Sequence, residues 1–335
     1  MNELEPFLAD NYEQTAAKRQ SDKDYASLRE EMLKGLRKAL GEFACAPDMS
    51  VTVLEKKEFD DYIRERIALR TSGHLSMPVY MLTPKNKAGL KPAAIAVHGH
   101  GYGSREIVGL TADGAEDTET PGIHQHFALQ LVRRGFKVFA PEIVGFGDRM
   151  LESDREKGLR SSCNTLSRHL LMSGRTLAGL RVHETLQLLK LIHTDPDVDA
   201  GRIGMMGFSG GGLIAAYASA LDERVKATVL CGFTNTFKKS ILAVDHCIDN
   251  YIPGILDIAE LPDLIGLIAP RALFIESGAN DRIFPEDGTR EAIARLKEIY
   301  AGMQAADQLD EDIFEGAHEI SGRRSYDWLA KTLIE

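Results

Sequence analysis

Cysteine is scarce in this 335-residue chain, and its four copies (Cys45, Cys163, Cys231, Cys247) form no C-x-x-C pair. That scatter excludes a disulfide framework, and free thiols in a reducing compartment are expected. Long apolar runs are also missing: none approaches the ~18 residues that a membrane-spanning helix needs. The opening MNELEPFLAD is acidic, with neither the basic stretch nor the apolar core of a signal peptide, so a cytoplasmic location is the expectation. Basic charge is in deficit, with 40 Lys and Arg against 50 Asp and Glu, a net charge of −10 and a pI near 5.6. An acidic surface repels phosphate backbones and anionic lipid, so neither nucleic acid nor a membrane is an expected partner. Small anionic molecules remain open, because a local pocket can differ from the whole surface. Neither internal repeats nor low-complexity tracts are visible.

What is present is the composition of a globular protein, 44% hydrophobic and 27% charged. Two divisions are expected, an N-terminal helical extension over residues 1–50 and a main domain over 51–335. From Leu4 to Phe43 the chain is charged and helix-prone, with Leu28, Met32, Leu33, Leu36 and Leu40 at helical spacing. Such an extension packs either on the main domain or on a second copy in a homo-oligomer.

The period then changes. Val51 to Leu54, Ile63 to Leu69 and Met77 to Leu82 alternate like strands and predict an antiparallel opening to a sheet. From Pro92 onward, short apolar runs (Ala93 to Val97, Phe136 to Ala140, Arg202 to Phe208, Val225 to Cys231, Ala272 to Glu276, and a segment near Ile313) alternate with helical patterns. That alternation predicts an α/β fold, a mostly parallel sheet with helices on both faces. Residues 232–268 interrupt it, and a segment of that length suggests a small lid over a site.

Gly207-Phe208-Ser209-Gly210-Gly211 matches G-x-S-x-G. A serine displayed on a sharp strand-to-helix turn has a strained backbone, and side chains two residues away would crowd it. An apolar strand precedes Ser209 and a small-residue helix follows it, as such an elbow requires. The alternative is a glycine-rich structural turn. Two histidines lie downstream, His246 inside the interruption and His318 in the loop Glu315-Gly316-Ala317-His318-Glu319. The late loop favours His318 as a base. Asp281 follows the strand ending at Glu276, on the same sheet edge as Ser209, and is the leading acid ahead of Glu276 and Asp287. Its alternative role is capping the next turn.

Strand Ala93 to Val97 runs into His98-Gly99-His100-Gly101, and a loop there is placed to offer a backbone N–H to a developing oxyanion. His100 and Gly210 are the candidate donors. His98 and His100, or His124 and His126, would be poor metal sites without matched cysteines or carboxylates, and no metal is expected. Asp148 and Arg149, in another strand-end loop, could pair to brace the site's floor.

With these residues in hand, the chain resembles the α/β-hydrolase superfamily, near its dienelactone hydrolase and acetyl xylan esterase branch. The resemblance rests on H-G-H-G at 98–101, G-F-G-D-R at 145–149, G-F-S-G-G at 207–211, I-A-P-R at 268–271 with G-A-N-D at 278–281, and G-A-H at 316–318. It runs from about residue 75 to the end. It implies a twisted eight-stranded sheet, a Ser209–Asp281–His318 triad, oxyanion donors at His100 and Gly210, and no cofactor. Gly212, a third consecutive glycine, and the long helical N-terminus depart from the common pattern. The activity implied is hydrolysis of small carboxylic esters, acetylated sugars first, with Phe237, His246 and Tyr251 of the lid (and Asn250 beside them) shaping specificity. The rival readings are a serine peptidase on short peptides, which would usually carry a propeller domain that residues 1–75 cannot supply, and a non-catalytic scaffold on the same fold.

Overall fold

The computed structural model describes residues 3–19, 24–85, 89–119 and 121–335. Its frame is a single nine-stranded sheet made of β1 (Val51–Glu58), β2 (Tyr62–Ser72), β3 (Leu75–Pro84), β4 (Lys91–Val97), β5 (Lys137–Pro141), β6 (Val198–Phe208), β7 (Val225–Cys231), β8 (Ala272–Gly278) and β9 (Leu309–Phe314). The spatial order is β1-β2-β3-β5-β4-β6-β7-β8-β9. The first three strands pair antiparallel, β3 pairs antiparallel with β5, and every pairing from β5 to β9 is parallel. This is an α/β-hydrolase fold with one strand more than the eight that the resemblance implies. The outermost strand, β1, lies at the margin: all its residues are exposed and it pairs only with β2. Glu55, Lys56, Lys57 and Glu58 put charge on that edge, which discourages a further strand.

The parallel strands are apolar throughout because both their faces are covered. In β4, Ala93, Ile95 and Val97 enter one core and Ala94 and Ala96 the other. β8 divides the same way, Leu273 and Ile275 against Ala272 and Phe274. The helices are α1 (Leu4–Lys18), α2 (Tyr25–Leu40), α3 (Phe127–Arg133), α4 (Glu152–Glu156), α5 (Cys163–Met172), α6 (Leu177–His193), α7 (Gly210–Leu221), α8 (Ile255–Ile258), α9 (Leu261–Gly266), α10 (Glu286–Gly302) and α11 (Ser325–Ile334). Side chains of α3 and α11 fill one core, and those of α2, α6, α7, α9 and α10 fill the other. Among the described residues no helix is long and apolar enough to cross a membrane.

The extension is two helices rather than one run. Asp24 opens the second by accepting a 2.8 Å hydrogen bond from the Ser27 N–H. Met32, Leu36 and Leu40 then bury one stripe at a spacing of one turn. Its partner is the segment 232–268. Tyr25 donates to the Asp263 carbonyl at 2.6 Å, Arg29 donates to the Leu267 carbonyl at 2.6 Å, and Tyr12 donates to Glu260. The segment itself carries α8 and α9 and buries Phe233, Ile241, Leu261 and Leu264. It is a packed layer between the extension and the core.

Candidate active site

Ser209 sits between β6 and α7 with φ 55° and ψ −120°, in the left-handed half of backbone space that a side chain ordinarily avoids. The glycines on either side make this turn feasible. A Cβ on Gly207 would lie 2.2 Å from the Gly211 carbonyl oxygen, and one on Gly211 would lie 2.1 Å from that of Val97. Either distance is well inside contact, so strand, serine and helix pack closely only because both positions are bare.

The structure brings three of the expected residues together. Ser209 Oγ donates to His318 Nε2 at 2.9 Å, and His318 Nδ1 donates to Asp281 Oδ2 at 2.7 Å. The direction of both bonds follows from assigning the ring proton to Nδ1. Asp281 is held in turn. Its Oδ1 accepts from the backbone N–H groups of Ile283 at 2.7 Å and Phe284 at 3.0 Å, and its side chain is fully buried. The imidazole lies between two aromatic rings, stacked on Phe284 and tilted against Phe208. A carboxylate with fixed backbone donors, an oriented imidazole and a half-buried serine at the turn form a continuous proton path.

The rival acids are engaged elsewhere. Glu276 is buried and accepts from the N–H groups of Ser321 and Gly322 and from the Ser325 hydroxyl at 2.7 Å, which fastens the chain just beyond His318. Burial raises its carboxyl. Asp287 pairs with Lys239 at the surface. Asp148 and Arg149 do not pair with each other: Asp148 binds Arg66 and Arg105, while Arg149 makes a buried bidentate pair with Glu184 at 2.6 and 2.7 Å. Neighbours in a 3₁₀ turn project apart, and each finds its charge on a different layer.

His100 and Gly210 also meet. The His100 ring covers Gly210 so closely that a Cβ there would lie 3.2 Å from Nδ1. The Gly210 N–H is in the first turn of α7, where the helix supplies no acceptor, and the His100 N–H has no acceptor among the described residues. The histidines around them are structural. His98 Nε2 accepts from the Ile143 N–H at 3.1 Å, and burial pushes its pKa down to about 3. His124 accepts from the Gly99 N–H and binds Glu106 at 2.8 Å, and His126 binds Asp117 at 3.0 Å.

Phe237, His246 and Tyr251 line a cleft of about 1110 Å³ between the 232–268 segment and α1, together with Asn250. Ser209 and His318 do not line it; His246 links the two places, its ring edge-on to Phe284 and its Nε2 3.0 Å from the Ser240 hydroxyl. Burial lowers the His246 pKa. A second cavity of about 670 Å³ opens beside His100, with Arg105, Arg155 and Arg160 on its wall.

Sequence reasoning missed a polar cluster behind the His100 ring. Arg181 is buried in α6, where it donates to Asp249, to the Val144 carbonyl and, at 3.3 Å, to Cys163 Sγ. Cys247 hydrogen-bonds to Cys163 and, with His100 and Arg181, holds its thiol below the ordinary range. The one signal available was Arg181 itself, a charge within a mostly buried helix that also carries Glu184. Nothing in the spacing joined it to Cys163, Cys247 and Asp249.

Residues 7–293 match the Abhydrolase family. A Bacillus subtilis (strain 168) protein named as a hydrolase, YtaP, is 30% identical over 287 residues, covering 84% of this chain and 90% of its own. Among solved structures, an acetyl xylan esterase-designated protein of Bacteroides fragilis NCTC 9343 superposes with a TM-score of 0.73 at 18% identity, covering 94% of this chain and 85% of the other. A glucuronoyl esterase from Solibacter usitatus gives 0.67 at 15% identity, with 92% of each chain covered. The structural likenesses bear on the fold, and the sequence match decides the family: this chain belongs to the Abhydrolase family.

Proposed function

We propose that the chain hydrolyses carboxylic esters through an acyl-enzyme on Ser209. The observation that carries this reading is the unbroken Asp281–His318–Ser209 hydrogen-bond path ending on a strained elbow. As Ser209 Oγ attacks the acyl carbon, His318 Nε2 takes its proton, and Asp281 stabilises the imidazolium that results. The N–H groups of His100 and Gly210 donate to the carbonyl oxygen as it becomes negative, each donor contributing about 3 kcal/mol. His318 then returns the proton to the leaving alcohol. Water, deprotonated by the same ring, cleaves the acyl-enzyme, and acid and free serine are released. These steps need no cofactor.

Small acyl esters, with acetyl esters of sugars first, are the substrates we favour. Two structural neighbours are named as an acetyl xylan esterase and a glucuronoyl esterase, and the cleft beside Phe237, Tyr251 and His246, which reaches the catalytic side through His246, has room for the alcohol part of a sugar ester. A panel of p-nitrophenyl esters of rising chain length, run beside Ser209→Ala, tests the reading. Acetyl or butyryl turnover that falls by at least about 10⁴-fold in the variant is expected. Absence of turnover in the wild type, with a fluorophosphonate leaving Ser209 unlabelled, would replace the esterase reading by that of a non-catalytic scaffold.

A further inference from the structure

Four side chains with zinc-type donors converge behind the oxyanion loop: His100, Cys163, Cys247 and Asp249. They come from the loop after β4, the first residue of α5 and the 232–268 segment, and one donor atom from each lies within 4.8 Å of all the others. His100 Nε2 is 3.5 Å from Asp249 Oδ2, and Cys163 Sγ is 3.6 Å from the same oxygen. A tetrahedral ion bound at about 2.0 Å to N and O and 2.3 Å to S separates its donors by roughly 3.3–3.8 Å, so these spacings already match the edges of such a shell.

The hydrogen bonding within the cluster is incomplete without an ion. His100 Nε2 is shielded from solvent and, among the described residues, has no hydrogen bond of ordinary length: Asp249 Oδ2 stands 3.5 Å away, and Cys163 lies beside the ring. A buried ring nitrogen in that state is costly, whereas a lone pair aimed at a metal is satisfied. Charge points the same way. Metal binding would release the thiol protons, and the two thiolates and the carboxylate would then be balanced by a divalent ion together with the Arg181 guanidinium. Arg181 is placed for this as an outer partner, since it donates to both Asp249 and Cys163 while remaining outside the ring of donors.

We infer that His100, Cys163, Cys247 and Asp249 form a zinc site that ties the 232–268 segment to the loop carrying the His100 N–H. Two sulfurs, one imidazole and one carboxylate suit zinc better than the harder cations, which prefer oxygen alone. Four protein donors close the coordination shell, so the ion is structural and is not offered to substrate. His100 ligates through its ring, which leaves its backbone N–H free. The site depends only on these side chains and stands whether or not Ser209 is a nucleophile.

The test uses the full chain, purified with reductant and without chelator. We expect close to one zinc per chain by elemental analysis. After chelation, cobalt(II) should restore one equivalent of a tetrahedral spectrum with sulfur-to-cobalt charge transfer, and zinc should displace it. Zinc should also raise the melting temperature of the chelated protein. Cys247→Ser should weaken zinc binding by more than about 100-fold, beyond the 10–100-fold typical of losing an outer partner alone. Cys45→Ser, at an exposed cysteine outside the cluster, should bind as the wild type does. Should Cys247→Ser fail to fold, alkylation of the wild type decides: zinc should protect Cys163 and Cys247 and leave the rate at Cys45 unchanged. A wild type without zinc, cobalt spectrum or thiol protection would overturn the proposal. So would an unaltered cobalt spectrum in a folded Cys247→Ser, or a reductant-sensitive Cys163–Cys247 disulfide in place of the ion.

Discussion

Two histidine-centred clusters stand on either side of Gly210, and they are built in different ways. Around His318, both ring nitrogens and both Asp281 oxygens have partners. Around His100, the buried ring nitrogen has only a long 3.5 Å contact to Asp249, with two thiols and a guanidinium gathered about it. The first cluster is complete as a proton path. The second is completed by an ion. Three residues with partly matched charges can satisfy one another, whereas several donors of like charge converging on one point need something to converge on.

The largest expected effect breaks the first cluster while keeping its shape. Asp281→Asn preserves the volume but favours the wrong imidazole tautomer, and kcat should fall about 10⁴-fold with little change in KM. Ester hydrolysis by the variant measures this, and a loss below tenfold would remove Asp281 from the proposed triad.

Next is the buried pair that supports the second cluster. In the zinc-free protein, Arg181→Met leaves Asp249 charged and without its cation in the interior, and should cost about 3–5 kcal/mol of stability. Chemical denaturation should show it as a lower midpoint without a change in slope. If saturating zinc restores part of that loss, the ion and the guanidinium share the task of neutralising Asp249.

A third prediction concerns pH and rests on buried groups outside both clusters. Glu142, adjacent to the His98 pocket, is buried and accepts from the Ser104 N–H and hydroxyl. Burial raises its carboxyl to about 7 despite those bonds. Because the folded value lies above the unfolded one, the contribution to stability is fully present below about pH 4.5 and is lost as pH rises through 7. The loss is of order 3 kcal/mol. His98, pushed down to about 3, acts oppositely: its contribution is lost as pH falls below 6.5. Glu142→Gln should therefore flatten the decline in stability between about pH 4.5 and 7 and leave the acid limb intact, as melting temperatures across pH would show.

The smallest effect is at the rim. Tyr251, 40% exposed beside the cleft, should change stability by less than about 0.5 kcal/mol as Tyr251→Ala. Its KM for a bulky sugar ester should rise several-fold, while p-nitrophenyl acetate should be turned over unchanged. Equal effects on both esters would place the cleft outside the path of the alcohol.

The meeting of Ser209, Asp281 and His318 was legible because each follows a strand with a local signature: glycines two residues either side of Ser209, and strand-end loops at Asp281 and His318. The second cluster was not. Cys163 begins α5, a helix whose existence the sequence reading missed, and Cys247 and Asp249 lie in a segment read only as a lid. The pairing expected of Asp148 and Arg149 failed for a related reason, since adjacency in sequence says little about which layer a side chain faces.

By itself, the amino-acid sequence determined the alternation of strand and helix, the elbow at Ser209 and the order of base and acid after it. Those features depend on local periodicity and on backbone conformations that only particular residues tolerate. The tertiary structure decided the place of β1 at the margin, the docking of the extension on residues 232–268 and the meeting of His100 with Cys163, Cys247 and Asp249. Contacts between segments far apart in the chain depend on how layers pack, and packing leaves no period in a sequence.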